Sequence, residues 1–379
     1  MTKIPFNRPA PMGRELEYVT TAIENCGIGG AGPFALKCQG LLEKELGVRK
    51  SLLTSSCTAA LEMTAMLVDT KPGDEIILPS FTFTSTANAF VLRGAKPVFV
   101  DIRPDTLNLD EKLIEKHLTP RTKAIVVVHY AGVGCEMDAI LDLAGKRSIA
   151  VIEDNAHGLF GKYKGRNLGT FGCLATQSFH ETKNLSCGEG GALLINDEKL
   201  MERSEILREK GTNRARFFRG EVDKYTWVDI GSSYAPSDIL AAYLLAQLEV
   251  WQKIQSQRRD IWNFYATHLE KWAARCGARL PIVPAHTEQT YHMFYVLMKT
   301  ADDRDRLMTD LRTAGIQSVF HYLPLHLSKM GQSFGGKEGD CPVTEDIIGR
   351  LLRLPFYNTL TTSELSRVVE EMEKFEPWS

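Results

Sequence analysis

Short apolar runs recur along the first two hundred residues, with amphipathic segments between them. Ser51–Leu53, Glu75–Leu78, Pro97–Val100, Ala124–Val128, Ile149–Glu153, Leu174–Ser178 and Ala192–Ile195 are too short for helices and predict seven strands. Runs such as AIVVV and IAVIE do not alternate, which suits strands buried on both faces of a mostly parallel sheet covered by helices. The intervening Cys57–Val68, Thr84–Arg93, Asp110–Leu118 and Met137–Lys146 carry apolar residues at helical spacing. From Pro236 to Cys276 the pattern is nearly all helical, with one stripe through Ile239, Leu244, Leu248 and Trp251 and a later one through Ile261, Phe264, Leu269 and Trp272. Beyond Pro284 it predicts a strand at His292–Met298, a helix at Asp303–Ala314, a strand at Ile316–Phe320, and helices at Thr344–Leu352 and Ser363–Phe375. The expectation is an α/β fold with a large domain over residues 1–250 and a smaller α+β C-terminal domain over 251–379. Ligands of such sheets bind at the carboxyl ends of the strands.

Charge narrows the partners. Lysine and arginine number 45 against 47 acidic residues, so no overall field recruits nucleic acid or an anionic membrane, and a small-molecule ligand is expected. No apolar run reaches a membrane span and the N-terminus lacks a signal-peptide core, which predicts a cytoplasmic protein. The eight cysteines are scattered, without metal-ligand spacing, so neither a disulfide scaffold nor a metal site is expected.

Chemistry gathers at the predicted strand ends. The strand through Glu153 leads into Asp154-Asn155-Ala156-His157, where Asp154 reads equally as a helix cap or a site residue. The strand ending at Ser178 leads into Phe179-His180-Glu181-Thr182-Lys183-Asn184 and then a glycine-rich turn. A lysine after a strand is ordinarily a solvated surface residue, but here a carboxylate accompanies it. Pyridoxal chemistry requires that pair: an amine to hold the cofactor and shuttle protons, and a carboxylate to keep the pyridine nitrogen protonated. Ser56-Cys57-Thr58 opens a predicted helix, and its hydroxyls and N–H groups serve either as a cap or as a phosphate site. In Pro79-Ser80-Phe81-Thr82-Phe83, Phe83 is the candidate cover for a flat heterocycle, with Phe81 as the alternative.

In order and spacing, SSCTAAL, PSFTFTSTANA, VIEDNAHG, SFHETKNLSCGEGGAL and DIGSSYAPSD resemble the DegT/DnrJ/EryC1/StrS family of fold-type-I, pyridoxal-phosphate-dependent enzymes that act on nucleotide-linked keto-sugars. The resemblance covers nearly the whole chain. It implies that Lys183 binds pyridoxal 5'-phosphate covalently, that Asp154 pairs with its ring nitrogen and that His157 approaches its phenolic oxygen. It also implies that Ser56, Cys57, Thr58 and Ser178 hold the phosphate and that Phe83 stacks on the ring. The active site would be completed across a homodimer interface, with Ser233 reaching the partner's cofactor from the segment Gly231–Tyr234. Two departures stand out: many relatives carry asparagine at Ser233 and glutamine at His157, and an imidazole there would take a charge in acid.

FHETKN, the stretch from REKGTNRARFF to IGSSY, and HYLPLH most resemble the branch that transfers the amine of L-glutamate to dTDP-4-keto-6-deoxyglucose in enterobacterial surface-antigen synthesis, giving the 4-amino-4,6-dideoxygalactose product and 2-oxoglutarate. On the substrate side, His321 and His326 read either as structural or as facing the sugar nucleotide. Arg219, in Arg214–Gly220, and Tyr225 read either as part of a solvated loop or as an anion site. Lys183 disfavours the related dehydrases, which carry histidine in its place. The intact Asp154–Lys183 pair disfavours a non-catalytic regulator of the same fold. A nucleotide-binding G-x-G-x-x-G after a strand is absent, which argues against a dehydrogenase.

Overall fold

The computed structural model describes residues 3–25 and 27–377. Its centre is a seven-stranded sheet. The strands β1 (Lys50–Thr54), β2 (Glu75–Pro79), β3 (Lys96–Val100), β4 (Thr122–Val128) and β5 (Ala150–Asp154) are joined by Leu174–Ser178 and Gly191–Ile195. In space the order is β1, Gly191–Ile195, Leu174–Ser178, β5, β4, β2, β3, and only Gly191–Ile195 runs antiparallel to its neighbours. β4 and β2 are buried along most or all of their length, as their unbroken apolar runs require.

Helices α1 (Glu15–Glu24), α2 (Pro33–Leu46), α3 (Cys57–Leu67) and α4 (Thr84–Val91) start the covering layers. The proline at the start of α2 suits a first helical turn, whose N–H groups at Phe34 and Ala35 donate to the buried Asp238 carboxylate at 3.2 and 2.8 Å. Asp238 opens the helix Asp238–Glu249, so one carboxylate joins two helix starts. A 26-residue helix, Trp251–Cys276, follows, and its Ile261, Tyr265, Leu269 and Trp272 pack into a second core with Phe294, Val296, Leu307, Leu352 and Val368. Ile4, near the N-terminus, joins that second core.

The C-terminal elements differ in detail from the sequence expectation. Only Tyr295–Leu297 of His292–Met298 is strand, and Ile316–Phe320 makes isolated bridges to Ile4 and Arg353. The helix expected over Thr344–Leu352 is Pro342–Arg350. Leu351–Arg353 leaves it to pair with Tyr295–Leu297, because backbone pairing to a neighbouring segment outweighs the local helical pattern. No described helix is long and apolar enough to cross a membrane, and no metal-holding cluster occurs among the described residues.

Glu153, fully buried in β5, anchors the sheet to the loop before Leu174–Ser178. It accepts from the N–H groups of Gly169, Phe171 and Gly172, each at 2.7 Å, and from His129 Nε2 at 2.9 Å. His129 Nδ1 accepts from Cys135 N–H at 3.1 Å, which leaves the ring proton on Nε2. Replacing Glu153 with alanine strands all four donors. Urea denaturation of Glu153→Ala is expected to show a loss of about 3–5 kcal/mol in unfolding free energy; a loss below about 1 kcal/mol would show that water replaces the carboxylate.

Candidate active site

Five strand ends converge on one region. At the end of β1, Ser55 N–H donates to Tyr234 O at 2.7 Å, and Ser56 caps α3 by accepting from Ala59 N–H at 3.0 Å. The first-turn N–H groups of Cys57 and Thr58 have no acceptor among the described residues. Gly191 passes directly beneath: a Cβ there would lie 2.4 Å from Ser56 C and 2.5 Å from Cys57 N, so only glycine allows the strand this approach. Thr58 Oγ1 meets Ser85 Oγ at 2.8 Å, and Ser178 is paired with Gly191 across the sheet. Unfilled donors at a helix N-terminus, ringed by hydroxyls, form an anion cradle.

Asp154, the last residue of β5, is 5% exposed. Thr86 Oγ1 of α4 donates to its Oδ2 at 2.8 Å, and Ala156 N–H reaches Oδ1 at 3.3 Å. Burial pushes this carboxyl above its ordinary range, opposed by the two hydrogen bonds and by the positive charge of Lys183. Lys183 is half-buried, and desolvation lowers its pKa against the opposing influence of Cys57 and Asp154, which enlarges the fraction present as the nucleophilic free amine. Its backbone is pinned through Asn184, which donates to Thr290 O at 2.8 Å and meets His292 Nδ1 at 2.8 Å.

Three imidazoles complete the cluster. His157 stacks on His292 with centroids 4.2 Å apart, His321 lies 6.1 Å from His157, and Tyr130 hydroxyl meets His321 Nδ1 at 2.7 Å. His157 Nδ1 is buried without a partner, an orphan that a bound polar group would satisfy. All three rings are held well below the usual histidine range, by burial first and then by neighbouring positive charge. Burial beside Lys183 and Arg353 opposes the charge that His157 was expected to gain in acid.

Other expected residues fall differently. Phe83, 57% exposed at the start of α4, lies 6.3 Å from the Tyr322 ring and borders the site, whereas Phe81 is core, packed on Tyr130 at 5.0 Å. His326 is not a substrate-facing group in this chain. It is fully buried, with its ring nitrogens bonded to Ser80 Oγ at 2.6 Å and Glu345 Oε1 at 2.8 Å. Arg219 does not join the cluster either: it pairs with Glu205 at 2.9 Å and Glu221 at 2.6 Å, and Glu205 also pairs with Lys50 at the opposite end of β1 from the cradle. Tyr225 packs on Phe217 at 5.7 Å, on the exposed side of the same loop. Ser233 is exposed beside Tyr234, whose carbonyl meets the same chain's Ser55.

Sequence reasoning passed over Thr86, Tyr130, Asn184, Arg258 and His292. Arg258 carried a signal, a charged residue on the apolar stripe of a helix, and Tyr130 follows directly on a strand end. His292 has no such mark.

The fold is that of the pyridoxal-phosphate-dependent aminotransferases. The aminotransferase TlmJ of Streptoalloteichus hindustanus superposes with a TM-score of 0.90 at 31% identity over 98% of each chain. Spr1654 of Streptococcus pneumoniae, described as a sugar aminotransferase and solved in its PLP form, gives 0.90 at 26% identity over 99% of this chain and 98% of that one. The chain belongs to the DegT/DnrJ/EryC1/StrS aminotransferase family, whose model matches residues 12–373. Among curated relatives, GDP-perosamine synthase of Escherichia coli O157:H7 is 32% identical over 99% of both chains.

The neutral imidazoles set a pH dependence. In the unfolded chain each takes a proton below about 6.5, while the folded chain does not, so stability falls as pH drops through that value. Asp154 acts oppositely: its contribution is complete below its ordinary 3.8 and is lost as pH rises through its higher folded value. Urea denaturation without added cofactor is expected to show stability declining from pH 7 downward, by up to about 1.4 kcal/mol per pH unit for each histidine. His157→Gln should flatten that slope; an unchanged slope would assign the proton uptake to other groups.

Proposed function

We propose that this enzyme transfers the amino group of L-glutamate to a nucleotide-linked keto-sugar, with dTDP-4-keto-6-deoxyglucose as acceptor and dTDP-4-amino-4,6-dideoxygalactose as product, in the synthesis of a cell-surface polysaccharide. The observation that carries the reading is the mutual approach of Lys183, Asp154 and Cys57 at the open first turn of α3, with the unpartnered His157 ring under the charge of Lys183. The residues fit the cofactor. When bound, pyridoxal phosphate supplies a carbonyl to take up the amine and a ring to accept an electron pair. Lys183 would hold the cofactor through its amine and, once freed, would move the proton at the donor or acceptor carbon with its Nζ. Asp154, oriented by Thr86, holds a proton on the ring nitrogen. The first turn of α3 with Ser56, Cys57, Thr58 and Ser178 would hold the phosphate, His157 would meet the phenolic oxygen, and Phe83 would stack on the ring. His321, which shares a hydrogen bond with Tyr130, faces the sugar.

The working unit is a homodimer in this reading, with Ser233 serving the partner's cofactor. Phe218, Tyr225 and Trp227, all exposed on the loop leading to Ser233, supply apolar surface for the second copy. The name of the E. coli relative supports an amino-sugar product on a nucleotide and points to GDP rather than dTDP. An acceptor carried on another base, or amination at another carbon, is accordingly the second reading.

Mass analysis after incubation with L-glutamate and a panel of 3-keto and 4-keto sugars on dTDP, UDP and GDP tests the substrate. The dTDP-4-keto-6-deoxy sugar is expected to gain an amine fastest, and a faster GDP- or UDP-linked acceptor would replace it. Lys183→Ala is expected to lose both turnover and the visible band of the lysine-bound cofactor. Asp154→Asn should fold yet lose most of its activity; wild-type rates there would leave Asp154 a cap.

A further inference from the structure

Two hydroxyls stand in line behind the carboxylate of Asp154. Thr86 Oγ1 donates to Asp154 Oδ2 at 2.8 Å, and beyond it Thr82 Oγ1 lies 2.8 Å from Thr86 Oγ1. Both threonines are buried, so water does not compete for either hydroxyl. A hydroxyl has one proton to give, and an ionised carboxylate only accepts. The Thr86 proton is therefore committed to Asp154, and the proton between the two threonines belongs to Thr82. Both O–H bonds then point the same way, toward the negative charge, and each polarises the next. The bond from Thr86 already holds the carboxyl down against the upward push of burial.

The turn that carries Thr82 is fixed on both sides. Ser80, two residues earlier, accepts the His326 N–H on its Oγ at 3.3 Å, and its carbonyl accepts from Leu325 N–H at 3.0 Å. His326 Nε2 gives its proton to Glu345 at 2.8 Å, which leaves Nδ1 to accept from Ser80 Oγ at 2.6 Å. Phe81 packs on Tyr130 at 5.0 Å and Tyr322 at 5.6 Å. Phe83 turns outward and opens α4, where its carbonyl accepts from Thr86 N–H at 3.2 Å. Thr82, held between a core ring and a helix start, presents its hydroxyl to a residue four positions on. The ionisable groups that face Asp154 are Lys183, Cys57, His129 and Tyr322, and none of them lies on this turn.

We propose that Thr82 is a positioning residue for the cofactor-binding carboxylate: by donating to Thr86 it aims the Thr86 hydroxyl at Asp154 and favours the ionised form that holds the ring-nitrogen proton. This rests on the reading of Asp154 as the partner of that nitrogen. Thr82 touches neither cofactor nor substrate in this role and acts through Thr86 alone. Without the Thr82 proton, Thr86 Oγ1 keeps an unfilled lone pair in a dry environment, and its own O–H is less polarised toward Asp154. Valine keeps the branched shape of threonine and removes only the hydroxyl, so it separates this role from that of a residue that merely starts α4.

The test uses the cofactor-loaded enzyme with Thr82→Val, Thr82→Ser, Asp154→Asn and the double variant of Thr82→Val with Asp154→Asn. Absorbance reads the pH at which the visible band of the lysine-bound cofactor titrates. A weaker hold on the ring-nitrogen proton leaves less positive charge in the ring, which makes it easier for the neighbouring lysine nitrogen to keep its own proton. Thr82→Val is therefore expected to raise the midpoint by roughly 0.4 to 1 pH unit and to slow turnover at saturating substrate roughly 2- to 12-fold, the equivalent of one net hydrogen bond. Thr82→Ser, which keeps the hydroxyl, should retain the wild-type midpoint. On the Asp154→Asn background Thr82→Val should add no further shift, because the charge it acts on is gone. Thr82→Ala removes the same hydroxyl and is measured alongside, so that poor folding of one variant leaves the other to decide. A wild-type midpoint in the folded valine or alanine variant, or an equal shift on both backgrounds, would overturn the role. A wild-type midpoint in Asp154→Asn would remove the assignment of Asp154 and this role with it, whereas a shift there with none in Thr82→Val removes this role alone.

Discussion

The structure depends on holding an amine and a carboxylate together where water is scarce. Lys183 and Asp154 come from the ends of two adjacent parallel strands, and desolvation works against the charge on both. Their mutual attraction and the hydrogen bonds from Thr86 and Ala156 offset part of that cost. The outcome is a lysine shifted toward its neutral form and a carboxyl whose pKa awaits a cationic partner. Neither condition arises on a solvated loop, which is why the pair must sit at the end of a sheet buried on both faces.

Rigidity around the pair comes from groups that do no chemistry. Glu153, next to Asp154 but pointing to the other face of the sheet, gathers three backbone donors and His129. Asn184, next to Lys183, ties that segment to Thr290 and His292. Each reacting residue thus has an immediate neighbour in sequence that anchors its backbone, so the geometry of the pair survives the motion of either side chain.

Positive charge dominates the remainder of the site. The helix start at Ser56, Lys183, Arg258 and Arg353 all favour anions, and three histidines stay neutral under their influence. A chain with nearly balanced overall charge concentrates its field locally, where phosphate, carboxylate and diphosphate are to be handled. The Arg214–Arg219 loop, by contrast, spends its charge on Glu202, Glu205, Glu209 and Glu221.

By itself the sequence determined the sheet and the family. Unbroken apolar runs predict buried parallel strands whatever surrounds them, and Asp154 and Lys183 are legible because the residue after a strand lies at its carboxyl end. Local pattern also placed the cap at Ser56. Only the tertiary structure decided which histidines face the site: His321 and His326 sit five residues apart in one motif, yet Tyr130 draws the first into the cluster while Ser80 and Glu345 lock the second into the core. His292 and Arg353 were invisible for the same reason. His292 is met by Asn184 and His157, each more than a hundred residues away in the chain, whereas Arg353 meets Phe320, 33 residues before it but in a separate element, and no spacing along the sequence encodes either contact.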